Sequence, residues 1–86
     1  MTARIIDTCG LTCPLPFLKL RRELRSISPG TTIEVLSTDP MAPGDFAELC
    51  EALGHRIIAS NLEAGVTRTS IQVLADNGDR SVQGGG

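Results

Sequence analysis

The sequence predicts an α/β two-layer sandwich in the order β-α-β-α-β-β, with two helices on one face of a four-stranded mixed sheet. Two patterns carry that prediction. Apolar residues recur at spacings of three and four in two separate segments, the mark of helices that bury one face. Before, between and after those segments lie short β-branched runs bounded by glycine and proline, which suit strands.

Residues 4–8, with Ile5 and Ile6, form the first predicted strand. Phe17, Leu20, Leu24 and Ile27 then line one face of a helix from about 14 to 27, which Ser28-Pro29-Gly30 stops. Thr31 to Thr38 reads as a strand with Ile33 and Val35 on one face and Glu34 on the other. The second helix opens near Pro43, carries Asp45 and Glu48 early, buries Phe46, Leu49, Cys50 and Leu53, and ends at Gly54. Two strands follow at about 56–62 and 67–74, joined by a turn containing Gly65. Residues 1–75 are therefore expected to form a single domain. Residues 76–86, polar and glycine-rich, have almost nothing to bury and are expected to be a disordered tail.

Composition narrows the function classes. At 86 residues there is room for one modest core and none for a cofactor pocket between domains, so the chain is expected to work mostly at its surface. A net charge of −2, with neither tryptophan nor tyrosine, lacks the basic excess and stacking platforms of a nucleic-acid binder. No apolar run approaches the ~20 residues that span a bilayer, and Met1-Thr2-Ala3-Arg4 does not begin a signal peptide, so no membrane association and a cytoplasmic location are expected. Three cysteines, an odd number without a secretion signal, argue for reduced thiols rather than a disulfide framework.

Cys13-Pro14-Leu15-Pro16 is where the chemistry concentrates. Pro14 biases Cys13 towards an extended conformation, and its own φ suits a first helical position, so Cys13 is expected at the helix N-cap. There the positive end of the helix dipole favours thiolate over thiol, and the loop-to-helix junction keeps the sulfur near water. A lone cysteine is more often a small packed hydrophobe, but a strand centre or helix interior suits that role better than the residue before a proline. With no N–H at Pro14 or Pro16, a phosphate site is disfavoured, and the Leu15 N–H is one of few donors left to hold negative charge on sulfur. Pro14, Leu15 and Pro16 thus position a single reactive atom.

Asp7-Thr8-Cys9-Gly10-Leu11-Thr12-Cys13-Pro14-Leu15-Pro16 resembles the signature of the TusA/SirA-like family of small sulfur-carrier proteins, Cys-Pro-x-Pro after a first strand and a Gly10-Leu11 pair. Thr38-Asp39-Pro40 with Asp45, then Cys50 with Gly54-His55, resemble that family's downstream segments, so the resemblance runs from about residue 4 to 75. It implies that Cys13 accepts sulfane sulfur from a donor such as a cysteine desulfurase or rhodanese-like protein. Cys13 then holds it as a persulfide and relays it to an acceptor protein, for tRNA thiolation, cofactor assembly or sulfur oxidation. No metal or organic cofactor is implied, and the protein is sulfurtransferase-like rather than a turnover enzyme. A monomer is expected of a carrier that shows one site to successive partners.

The remaining candidates have bland readings beside the functional ones. Cys50 lies on an apolar helical stripe and reads as a packed, inert thiol. Cys9 and Cys13 make a Cys-x3-Cys pair, but no second pair or histidine cluster accompanies it, so zinc lacks ligands. A Cys9 thiol able to attack a Cys13 persulfide would expel the cargo as sulfide and leave a disulfide, so Cys9 either points away or makes the protein a dithiol redox protein. His55 reads as a capping or edge-covering side chain. Lys19, Arg21, Arg22 and Arg25 hold four of the eight basic charges on the helix beginning at Cys13, whereas the second helix carries Asp45, Glu48 and Glu51. That is a solvated face or a docking patch for an acidic partner. A regulatory interaction module without sulfur chemistry is the other alternative. A ubiquitin-like carrier using Gly84-Gly85-Gly86 is disfavoured, because that fold starts with a hairpin.

Overall fold

A computed structural model describes residues 4–75. In chain order the elements are β1 (Arg4–Asp7), α1 (Leu15–Leu24), β2 (Thr32–Ser37), α2 (Ala42–Leu53), β3 (Arg56–Glu63) and β4 (Val66–Gln72). The strands lie in the order β1-β2-β4-β3, with β1 and β2 parallel and the other pairs antiparallel. The expected two-layer, mixed-sheet architecture is what the chain adopts. The expected tail lies outside the described residues.

One face of the sheet supplies Ile6, Ile33, Val35 and Ile71, joined by Val73 just past β4, to a core completed by Leu20 and Leu24 of α1 and by Phe46, Leu49 and Cys50 of α2. The alternation along β2, with Ile33, Val35 and Ser37 buried and their neighbours partly exposed, is the two-residue period of a half-covered strand. Phe17 and Leu53 also pack against the core. At the hairpin between β3 and β4 the central residues Ala64 and Gly65 both have positive φ, 53° and 81°, the handedness that matches the twist of the flanking strands.

Both helices start and stop for local reasons. The expected helix of 14–27 regularises only over Leu15–Leu24. Beyond it the amides of Arg25, Ser26 and Ile27 donate to carbonyls three residues back, tightening the end while still burying Ile27. Arg21 and Arg22 in the last turn complement the helix dipole. Pro43 stands within the first turn of α2, where its missing N–H costs nothing, and Gly54 closes the helix at φ 85° with His55 N donating to Cys50 O.

Candidate functional site

The β1–α1 loop carries Cys9 and Cys13, and it is strapped to the β2–α2 loop at several points. Thr8 donates through both its amide and its hydroxyl to Leu36 O, at 2.8 and 2.6 Å. Gly10, in the left-handed region at φ 84°, presents its amide to Thr38 Oγ1 at 2.9 Å. The Cys13 amide donates to Asp39 Oδ2 at 2.6 Å, while Asp39 Oδ1 accepts from Met41 N at 2.9 Å. One carboxylate thus joins the start of α2 to the backbone that holds the Cys13 sulfur. These bonds explain why Thr38-Asp39-Pro40 belongs with the cysteine loop despite its distance in sequence.

Cys13 is exposed but is not itself the helix N-cap. That position is Pro14, the Cys13-Pro14 peptide is cis, and Cys13 stands one residue further out. The reason is Pro16 at the second helical position together with the Leu15 amide, which donates to Thr12 O at 2.8 Å and closes a turn ahead of the helix. The Leu15 N–H is therefore engaged and does not serve the sulfur. Carboxylates stand near the thiol instead. Cys13 Sγ donates to Asp45 Oδ2 at 3.7 Å, and Asp45 lies in the first turn of α2.

The electrostatic consequence reverses the expected one. Partial desolvation, then the charge and hydrogen bond of the Asp45 carboxylate and the charge of Asp39, push the Cys13 thiol above its ordinary range. The helix dipole expected to favour thiolate is outweighed because Cys13 lies beyond the helix end and beside two acidic groups. Asp39 and Asp45 are the site residues that sequence reasoning left without a role. Their only sequence signal was the shared Asp-Pro segment, since nothing local reveals a contact across 26 or 32 residues.

Cys9 is also exposed, and its amide and thiol both turn to the Asp7 carboxylate, with Cys9 N donating to Oδ1 at 2.9 Å. The thiol's hydrogen bond to Asp7 raises the Cys9 thiol, and the hydrogen bond from the Cys9 amide lowers Asp7. The two loop thiols are thus bonded to different carboxylates, one at the end of β1 and one on α2. Cys50 is buried in the core, and burial pushes it up to about 11. His55 is buried and accepts the Leu74 amide on Nδ1 at 3.2 Å, a structural use that ties the end of α2 to the segment after β4.

Beside the cysteine loop, α1 presents an apolar groove of about 460 Å³ lined by Leu11, Leu15, Leu18, Lys19, Arg22 and Glu23. Leu15 and Leu18 are 49% and 46% exposed. Lys19 Nζ donates to Asp7 O at 2.8 Å, so this cation is committed to the end of β1, whereas Arg21, Arg22 and Arg25 lie on exposed positions of the same helix surface. Among the described residues no group of three or more histidine, cysteine or acidic side chains is placed to hold a metal ion. Nor is any helix among them long and apolar enough to cross a membrane.

Comparisons with known proteins bear on the family and the fold. A family model described as sulfurtransferase TusA matches residues 4–77. The sulfur carrier protein TusA of Pseudomonas aeruginosa is 36% identical over 72 residues, covering 84% of this chain and 91% of that one. A Pseudomonas putida protein of the same name is 35% identical over 72 residues, covering 84% and 90%. The crystal structure of a SirA-like protein from Desulfitobacterium hafniense superposes with a TM-score of 0.73 at 19% identity, covering 84% of this chain and 99% of that one, and shares the fold. With its fold, its Cys-Pro-x-Pro loop and a family match over residues 4–77, the chain belongs to the TusA family.

Proposed function

We propose that this protein is a sulfur carrier that accepts sulfane sulfur as a persulfide on Cys13 and relays it to an acceptor protein. The observation that carries the reading is the exposure of Cys13 on a loop cross-strapped by Thr38 and Asp39, in a chain of the TusA family. Sulfur transfer of this kind needs an accessible nucleophilic sulfur held in a fixed place, and the attacking thiol, once ionised, requires no metal or organic cofactor. Gly10, Pro14, Leu15 and Pro16 shape the loop that presents it, Gly10 through its left-handed backbone and Pro16 through its burial in the first turn of α1.

The donor and acceptor dock along α1 in this reading. Leu11, Leu15 and Leu18 offer apolar surface next to the sulfur, and Lys19, Arg21, Arg22 and Arg25 give that flank a positive charge that suits an acidic partner surface. Persulfide chemistry also fits a reducing compartment such as the cytoplasm, where all three cysteines stay as thiols.

Incubation with polysulfide, or with a persulfide-generating sulfurtransferase, followed by intact mass measurement tests the reading. The wild type is expected to gain one or more sulfur atoms, removable by a reductant. Cys13→Ser abolishes the gain and Cys50→Ala leaves it intact. If a folded wild-type protein takes up no sulfur, the interaction-module reading replaces this one. The exposure of Cys9 on the same loop supports a second reading, a dithiol in which Cys9 resolves the Cys13 persulfide to a disulfide and releases sulfide.

A further inference from the structure

Asp45 is half-buried in the first turn of α2, and its Oδ2 accepts from the Cys13 thiol at 3.7 Å. Asp39, also half-buried, faces the same residue from the β2–α2 loop but spends its oxygens on the Cys13 and Met41 amides. On the β1–α1 side the nearby charges are committed elsewhere, Asp7 to Cys9 and Lys19 to the Asp7 carbonyl. Asp45 is thus the carboxylate whose hydrogen bond goes to the reacting atom.

We propose that Asp45 is a positioning residue that restrains the empty carrier, its carboxylate holding the Cys13 S–H in place until a partner neutralises it or cargo sulfur extends past it. This rests on the reading of Cys13 as the sulfur-bearing atom. A carboxylate at hydrogen-bonding distance stabilises the S–H form over the thiolate. Loading is Cys13–S–H plus donor R–S–S–H giving Cys13–S–S–H plus R–S–H. The donor S–S bond breaks as the new one forms, and the donor's inner sulfur leaves with the electron pair. The proton lost from Cys13 balances the one gained by the leaving thiolate, so no oxidant or reductant is consumed. Once loaded, the terminal sulfur stands about 2 Å beyond Cys13 Sγ. A persulfide S–H is also more acidic than a thiol, so the same carboxylate restrains the loaded form less. The empty carrier is thereby kept from oxidants and alkylating agents, while the terminal sulfur of the loaded one stands clear of the carboxylate for attack by an acceptor thiolate, the Cys13 sulfur leaving with the electron pair and taking up a proton beside Asp45.

The test is the pH profile of iodoacetamide alkylation at Cys13, measured on the unloaded full chain carrying Cys9→Ser and quantified on the peptide containing Cys13. For Asp45→Asn the rate is expected to rise at neutral pH while the alkaline plateau falls, so that the two profiles cross. The crossing follows because a more acidic thiol is more ionised but less nucleophilic once ionised. Each tenfold gain in acidity corresponds to about 3-fold to 4-fold faster labelling at neutral pH and about 3-fold slower labelling on the plateau. Asp45→Glu, which keeps the charge, retains the wild-type profile. A profile for Asp45→Asn that superimposes on wild type, or a rate raised equally at every pH as simple unmasking gives, overturns the proposal. Should Asp45→Asn open the fold, seen as labelling of buried Cys50, Asp45→Ser carries the same test. Because the measurement reads the unloaded thiol, a crossing profile without sulfur uptake would refute the carrier reading while sustaining the Asp45 restraint.

Discussion

Cys13 and Cys50 are both less acidic than an ordinary thiol, and the surroundings that make them so are opposite. Cys50 is raised by burial among Phe46, Leu49 and the sheet, with no charged group involved. Cys13 stands at the surface, where partial desolvation is joined by the carboxylates of Asp45 and Asp39. The first condition ends only when the core opens. The second can be altered by any partner that neutralises a carboxylate, so a resting thiol at the mouth of the fold remains available for chemistry while one in the core does not. The direction of a pKa shift therefore says little about function until its cause is known.

The contrast is sharpest in stability. The core that encloses Cys50 should be intolerant of lost volume: Leu24→Ala or Leu49→Ala is expected to cost about 2–5 kcal/mol in chemical denaturation, a large part of a small domain's stability. Losses below about 1 kcal/mol at both positions would mean that the helix faces have been misassigned.

At the mouth, Asp39→Ala removes acceptors from the exposed amides of Cys13 and Met41, which water can partly replace. The expected cost is about 1–2 kcal/mol. Hydrogen exchange at the Cys13 amide should accelerate well beyond that at core amides such as Val35, and equal acceleration at both would show that the mouth and core are not separate.

An effect confined to one end of the pH range is expected on alkaline stability. The folded Cys50 thiol titrates at about 11, above an unfolded value near 9, so the native state binds its proton more tightly and unfolding becomes easier as pH rises between those values. The stabilising contribution is whole below pH 9 and declines by up to about 2 kcal/mol towards pH 11. Cys50→Ala should flatten that decline.

The two regions also differed in how far the sequence revealed them. The core was legible because it depends on periodicity: Phe17, Leu20 and Leu24 on one helix, Phe46, Leu49 and Cys50 on the other, and alternation through Ile33 and Val35 all follow from residues near one another in the chain. Ile27 was correctly read as buried although the regular helix ends at Leu24. The place of Cys13 near a helix start could be read from its prolines, but not the cap itself, because Pro14 takes that position and the Leu15 amide closes a turn onto Thr12 O. The electrostatics of the mouth were hidden. They depend on Asp39 and Asp45 being folded against the cysteine loop by Thr8, Gly10 and Cys13, contacts that local pattern does not encode.

The central claim, that Cys13 rather than Cys50 or Cys9 holds the cargo, is tested most directly by mapping sulfur onto peptides after polysulfide treatment of the folded protein. The added mass is expected on Cys13, located by fragmentation within the peptide it shares with Cys9, in equal yield for wild type and Cys9→Ser, with none on the peptide containing Cys50. Sulfur on Cys9 or Cys50, or a Cys9–Cys13 disulfide in the wild type with a stable persulfide only in Cys9→Ser, would contradict it.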